Sequence, residues 1–228
     1  VSAAVVTIAN TAGGSGKSTV AHALSVAMVE YGKKTLLIDL DPRASLTFRV
    51  GRDEQRLTAA DFLSGTTLKV DDLDPTSERF DFIPADARIG YGFDEGTLKV
   101  MIENLPKDFD LVIIDTASDV NQALVAALAV ADLIVVPLSH TVHGFKGAQM
   151  ILSLKPDSLI RLLQVGEETS LTTQIKESAH LDLSISRSDE LEATEFTTTS
   201  ILTTSQQSEI SAQFRDCAYS VLELLEMD

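Results

Sequence analysis

Cysteine is almost missing: Cys217 is the chain's one thiol, which excludes an internal disulfide framework and suits a reducing, cytoplasmic setting. Basic residues are scarce as well, with 18 Lys and Arg against 34 Asp and Glu, a formal net charge of −16. That balance disfavours long-range attraction to nucleic acid or anionic lipid, and it equally suits a generally acidic proteome or a salt-rich habitat. No apolar run reaches the length of a membrane span. The N-terminus lacks the basic start of a secretion signal, and because the first residue is Val1, an initiating residue or short leader is expected outside the sequence. Internal repeats and low-complexity tracts are also absent.

What is present is 228 residues with 44% hydrophobic content, enough to bury a substantial core as one domain spanning 1–228. Strands are predicted at Ala3–Ala9, Thr35–Leu40, Phe80–Pro84, Leu111–Asp115, Leu133–Pro137 and Leu159–Gln164. Helices are predicted at Ser18–Tyr31, about Gly96–Leu105, Asn121–Val130, Gly144–Leu154 and Ser208–Leu225. Several strands are apolar throughout, which requires cover on both faces, and they alternate with helices. The expected fold is α/β: a doubly wound, mostly parallel sheet with helices on both sides and ligands at the carboxyl ends of its strands.

The strongest local signal is Ala12-Gly13-Gly14-Ser15-Gly16-Lys17-Ser18-Thr19, set between the first strand and the first helix. Side-chain-free backbone there can curl so that its N–H groups face phosphate oxygens, and the positive end of the helix adds its field. Lys17 would reach the β- and γ-phosphates of ATP, and the Ser18 hydroxyl would bind Mg²⁺. A glycine-rich turn arises by chance in many α/β chains, but the Gly-Lys-Ser-Thr at its end, on a strand-to-helix turn, favours the nucleotide.

Two acidic segments come next. In Leu36-Leu37-Ile38-Asp39-Leu40-Asp41-Pro42-Arg43 the two carboxylates are two residues apart, so an extended strand presents both on one face until Pro42 ends it. Taken alone, such a pair is more often a turn or helix cap than a catalytic pair. Phe109-Asp110-Leu111-Val112-Ile113-Ile114-Asp115 is an apolar strand ending in an acid, the form of a Walker B segment whose carboxylate holds Mg²⁺.

Gly13 to Thr19 closely resembles the Lys-Gly-Gly-x-Gly-Lys-[Ser/Thr] loop of the ParA/MinD partitioning ATPases. The general G-x-x-x-x-G-K-[ST] pattern has glycine where this chain has Thr11, and the family's signature lysine is replaced by Ala12. Asp39, Asp41 and Pro42 match the family's Asp-x-Asp-Pro-Gln, with Arg43 in the glutamine position. Asp115 is followed by Thr116-Ala117-Ser118-Asp119 where the family commonly has Cys/Thr-Pro-Pro. The resemblance implies that Asp41 positions or polarises the attacking water, and that Asp39 lies near the metal with Ser18 and Asp115. It also implies an ATP-dependent homodimer, slow hydrolysis, and a ParB-like adaptor that couples the cycle to plasmid, chromosome or other cargo.

In that family the signature lysine crosses to the partner's nucleotide, and some relatives without it, including carboxysome-positioning ATPases, are thought to use a later lysine. Lys146 is the candidate substitute here, although an ordinary solvated lysine is the preferred reading. His140 and His143 lack a cysteine or close carboxylate to complete a ligand set and are read as surface histidines.

The stretches Ser170–Glu177 and Leu181–Arg187 resemble the family's late helix and strand, ahead of a loop that lies against adenine; Arg187 and Ser188 are the candidate adenine or ribose contacts. Ile210, Phe214, Cys217, Val221 and Leu225 form a core stripe on the closing helix. MinD proteins end in a basic membrane-binding helix, whereas this chain ends Leu222-Glu223-Leu224-Leu225-Glu226-Met227-Asp228, so no membrane role is expected. From Val165 onward three basic residues, Lys176, Arg187 and Arg215, face thirteen acidic ones, which disfavours nonspecific DNA binding. Arg49, Arg52 and Arg56 form the one arginine cluster, flanked by acids. Two other functions fit the same residues: a scaffold that sandwiches ATP but scarcely hydrolyses it, and a metabolic P-loop enzyme such as a synthetase or small-molecule kinase.

Overall fold

The structure, a computed structural model, describes residues 3–94, 96–106, 108–155, 157–169 and 179–227. The helix expected over 170–177 lies outside them. Seven strands occur among the described residues: β1 (Ala4–Ile8), β2 (Thr35–Asp39), β3 (Asp81–Ile83), β4 (Leu111–Asp115), β5 (Leu133–Ser139), β6 (Ile160–Val165) and β7 (His180–Ile185). They form one sheet in the order β3-β2-β4-β1-β5-β6-β7, parallel at every pairing. β1 therefore lies centrally between β4 and β5, where chain order reverses and a crevice opens beyond the strand ends.

The helices are α1 (Lys17–Glu30), α2 (Ser45–Arg49), α3 (Ala59–Leu63), α4 (Thr97–Glu103), α5 (Gln122–Val130), α6 (Val142–Leu154), α7 (Asp189–Ala193), α8 (Ile201–Thr204) and α9 (Glu209–Leu224). Alternation along each strand assigns the two faces. Val6, Ile8, Leu37, Leu111 and Ile113 pack with Val20 and Leu24 of α1 and Phe214 and Val221 of α9. Val5, Leu36, Ile38, Val112 and Ile114 pack with α3, α4 and α5 on the opposite side. Both faces are covered, which is why these strands carry apolar residues without a polar alternate.

Helix ends obey local chemistry. Asn121 and Ser208 accept from the amides of Leu124 and Ser211, starting α5 and α9. Ile210, Phe214, Cys217 and Val221 are buried on α9, with Leu225 packed at the edge, and burial pushes the Cys217 thiol up to about 12. The short helices α2, α3, α7 and α8 have no counterpart in the sequence reading, because a single turn shows no periodicity. Local marks are confined to their starts: Thr58-x-x-Asp61 at α3, whose side chains and backbone bond reciprocally, and the serine caps Ser188 at α7 and Ser200 at α8.

One polar cluster ties this frame together. His22 of α1 places Nε2 2.5 Å from Glu78 Oε2, and the other carboxylate oxygen accepts from the Ser200 amide and the Thr203 hydroxyl of α8. Burial raises the Glu78 carboxyl, but the bonds from His22, Thr203 and Ser200 outweigh it and the net shift is downward. Removing one member strands the others in a dry interior. Glu78→Ala should lower stability by about 3–5 kcal/mol, the cost of breaking a buried pair. Urea unfolding checks this; an unchanged midpoint would show that the cluster does not hold α8 to α1.

Candidate functional site

The chain leaves β1 through Asn10, whose side chain is fully buried. Its amide nitrogen donates to the carbonyls of Pro137 (2.8 Å) and Gly144 (3.2 Å), and its oxygen accepts from the Ala12 amide at 2.8 Å. The phosphate loop is thus anchored to the end of β5 and the start of α6. A Cβ at Gly147 would overlap the Asn10 side chain and the Ala12 amide, so α6 packs with its backbone against the loop. Ala12 is buried there, while Lys146 is exposed on α6. Asn10 and Gly147 escaped the sequence reading, since the contacts that join the loop to β5 and α6 span more than a hundred residues.

The loop then turns into α1 through Gly16, at φ 93°, a conformation L side chains rarely adopt. No side chain caps α1 and no acid lies in its first turn, so its amides face the crevice uncompensated. Lys17 folds back over the loop: Nζ donates to the Ala12 carbonyl at 3.0 Å and to Ser118 Oγ at 2.9 Å. Burial lowers its ammonium from the ordinary value, opposed by Asp115 and Asp41.

The three acids gather at the carboxyl ends of β2 and β4 but do different things. Asp39 and Asp115 are register partners on adjacent strands, and both are fully buried. Asp39 accepts from the amides of Asp41 and Thr47 and from the Thr47 hydroxyl, at 2.8–2.9 Å. It therefore fastens the start of α2 to the strand end. β2 stops at Asp39, ahead of Pro42, so Asp41 is already in the turn and the two carboxylates do not share a strand face. Asp41 is instead held by Arg43, whose Nε lies 3.1 Å from both carboxylate oxygens and whose Nη2 lies 2.7 Å from Oδ2.

Asp115 Oδ2 accepts from Ser18 Oγ at 2.6 Å, while Oδ1 is buried with no partner. Burial, then the charge of Asp39, pushes the Asp115 carboxyl up to about 8; burial likewise lifts Asp39 to about 6. An orphaned carboxylate oxygen beside a serine hydroxyl is a fitting donor set for a hard divalent cation, which takes oxygen ligands and removes the charge penalty at once.

A cleft of about 1310 Å³ opens over these groups and is lined by Gly13 to Val20, Asp41, Arg43 and Ser118. Arg187 and Ser188 line its far wall, so the loop after β7 faces the same space as the phosphate loop. Arg49 was legible only as part of an arginine cluster. That cluster splits in the fold: Arg52 pairs with Asp74, whereas Arg49 enters the cleft and donates to Thr19 Oγ1 at 2.8 Å. His140 and His143 are exposed, and among the described residues no group of three or more His, Cys, Asp and Glu could hold a metal. No helix among them is long and apolar enough to cross a membrane.

Residues 3–161 match a family described as an AAA domain. The chain is 32% identical over 163 residues to the chromosome partitioning protein ParA of Caulobacter vibrioides, covering 65% of this chain and 60% of that relative. It spans 63% of the length of two further curated relatives. Among solved structures, the septum site-determining protein MinD of Pyrococcus horikoshii with Mg-ADP superposes with a TM-score of 0.83 at 20% identity, covering 98% of this chain and 97% of that one. Cobyrinic acid a,c-diamide synthase of Mycobacterium smegmatis with an ATP analogue and magnesium gives 0.79 at 22% identity, covering 98% and 96%. These two likenesses concern the fold.

The paired buried acids set a pH dependence. A carboxyl lifted to about 8 in the folded chain keeps a proton that the unfolded chain releases near the ordinary value of 3.8, so stability falls as pH rises between those values. Asp115→Asn, neutral throughout, should raise the Tm of the nucleotide-free protein at pH 8 by about 2–4 °C or more, and by much less at pH 5. Equal shifts at both values, measured by calorimetry, would contradict the assignment.

Proposed function

Because the chain belongs to the AAA domain family, as a ParA/MinD-like P-loop ATPase, we propose that it binds ATP with Mg²⁺, pairs with a second copy around the nucleotide, and hydrolyses ATP slowly to position intracellular cargo through an adaptor. The observation that carries this reading is the meeting of Lys17, Ser18, Asp115 and Asp41 over the uncapped start of α1. The relative's partitioning role supports the cargo assignment.

Amides of Gly13 to Thr19 bind the phosphate chain, and Lys17 exchanges the Ala12 carbonyl and Ser118 for β- and γ-phosphate oxygens. Ser18 and the free oxygen of Asp115 hold the cation, which neutralises charge on the phosphates when bound. Asp41 orients a water for in-line attack on the γ-phosphorus, breaking its bond to the bridging oxygen and leaving ADP and phosphate. Asp39, committed to Thr47 and the Asp41 amide, positions Asp41 from behind. Arg187 and Ser188 close the nucleoside end. Turnover is slow because the site is completed only by a partner.

The fold shared with the diamide synthase supports a second reading, a small-molecule P-loop enzyme. The two separate cleanly in solution. With Asp41→Ala to prevent turnover, light-scattering mass should double in ATP-Mg²⁺ and stay monomeric in ADP. A monomer in both, together with wild-type turnover that requires a small acceptor, would replace the positioning reading with the second one.

A further inference from the structure

The phosphate loop of this chain brings no charge at position 12, where Ala12 is buried against α6, and a second cation besides Lys17 lines the cleft. Arg43 sits just past the turn that ends β2. Its Nε and Nη2 clasp both oxygens of Asp41, and Nη2 also reaches Ser118 Oγ at 3.3 Å. The same hydroxyl accepts from Lys17 Nζ at 2.9 Å. Two cations, one from the start of α1 and one from the turn after β2, thus converge on one weak, neutral acceptor beside the phosphate loop. Arg49, by contrast, lies on the Thr19 side, engaged with Thr19 and Thr194.

Burial is unequal across the Arg43–Asp41 pair. The Asp41 side chain is 6% exposed, whereas the Arg43 side chain is 56% exposed and lines the cleft. The Asp41 carboxylate keeps other support if the arginine leaves, because the Arg43 amide also donates to its Oδ1 at 2.9 Å. An ion pair with one solvated partner is weakly held. A terminal phosphate offers a planar guanidinium more charge and the same two-pronged geometry, so it outcompetes a single carboxylate.

We propose that Arg43 is the γ-phosphate sensor of this site: it rests on Asp41 without nucleotide and transfers to the γ-phosphate when ATP binds, uncovering Asp41 in the same movement. The inference rests on the ATPase reading and adds to it a residue that tells ATP from ADP. A diphosphate offers nothing at the Ser118 end of the cleft, so Arg43 stays on Asp41 and the water site stays blocked. Arg43 thereby supplies, within one copy of the chain, a charge that position 12 does not.

The test is equilibrium titration of fluorescent ADP and fluorescent ATPγS, each with Mg²⁺, into the wild-type chain, Arg43→Gln and Arg43→Lys. Wild type should bind the triphosphate about 10-fold more tightly than the diphosphate, a difference of about 1.4 kcal/mol. Arg43→Gln should keep its ADP affinity within about twofold and lower the ratio about fivefold, the remainder being held by Lys17; Arg43→Lys, which cannot fork onto the phosphate, should fall between. A ratio in Arg43→Gln equal to wild type overturns the proposal, as does faster turnover in that variant, which would make Arg43 a permanent clamp on Asp41. Wild type that binds neither nucleotide would instead overturn the ATPase reading, so the two failures are distinguishable. Unchanged ADP affinity in Arg43→Gln also shows that the variant is folded.

Discussion

Two carboxylates buried side by side at the ends of neighbouring strands are the constraint on which the site depends. Asp39 and Asp115 occupy the same register step of β2 and β4, with no solvent to separate their charges. Burial pushes both carboxyls upward, and the charge of Asp39 adds to the rise at Asp115. The surroundings answer each acid differently. Asp39 is satisfied by two amides and a hydroxyl, so it serves as a bracket for α2 and the turn carrying Asp41. Asp115 receives one hydroxyl and keeps one oxygen free, so it remains open to an ion. The neighbouring Lys17 partly offsets the excess negative charge, and its own ammonium is held below its usual value by burial.

Around that pair the crevice is built from both ends of the chain order. β1 delivers the phosphate loop, β2 the turn carrying Asp41, β4 Asp115 and Ser118, and the end of β7 Arg187 and Ser188. Parallel strands make this convergence possible, because every strand ends at the same edge of the sheet. Asn10 then fixes the loop against β5 and α6, so α6 and the nucleotide site share a boundary with no slack between backbones. The polar contacts of Lys17, Ser118, Arg43 and Asp41 form a chain across the cleft. A phosphate placed there competes with several of them together, which couples occupancy to the position of Asp41.

Much of this was legible in the sequence. Long apolar strands, the glycine-rich turn and the acid closing β4 are local patterns, and each fell where periodicity and turn chemistry put it. Arg187 was placed by resemblance, and the fold brings it to the cleft. The pairing of Asp39 with Asp41 was misleading, because spacing gives a shared face only while the strand lasts, and β2 ends at Asp39 as that side chain turns back to Thr47. Asn10, Ser118 and the His22–Glu78 cluster had no local signature. Apart from the local Asn10–Ala12 bond, their partners lie 56 to 134 residues away, and only tertiary folding brings the polar atoms together.

The account turns on the terminal phosphate taking over the cations that now meet at Ser118. A crystal structure with Mg²⁺ and a non-hydrolysable ATP analogue tests that most directly. The phosphates should lie along the amides of Gly13 to Thr19, with Lys17 moved off the Ala12 carbonyl and Arg43 moved from Asp41 onto the γ-phosphate. Phosphates seated elsewhere, with Lys17 still on Ala12 and Ser118 and Arg43 still clasping Asp41, would contradict it.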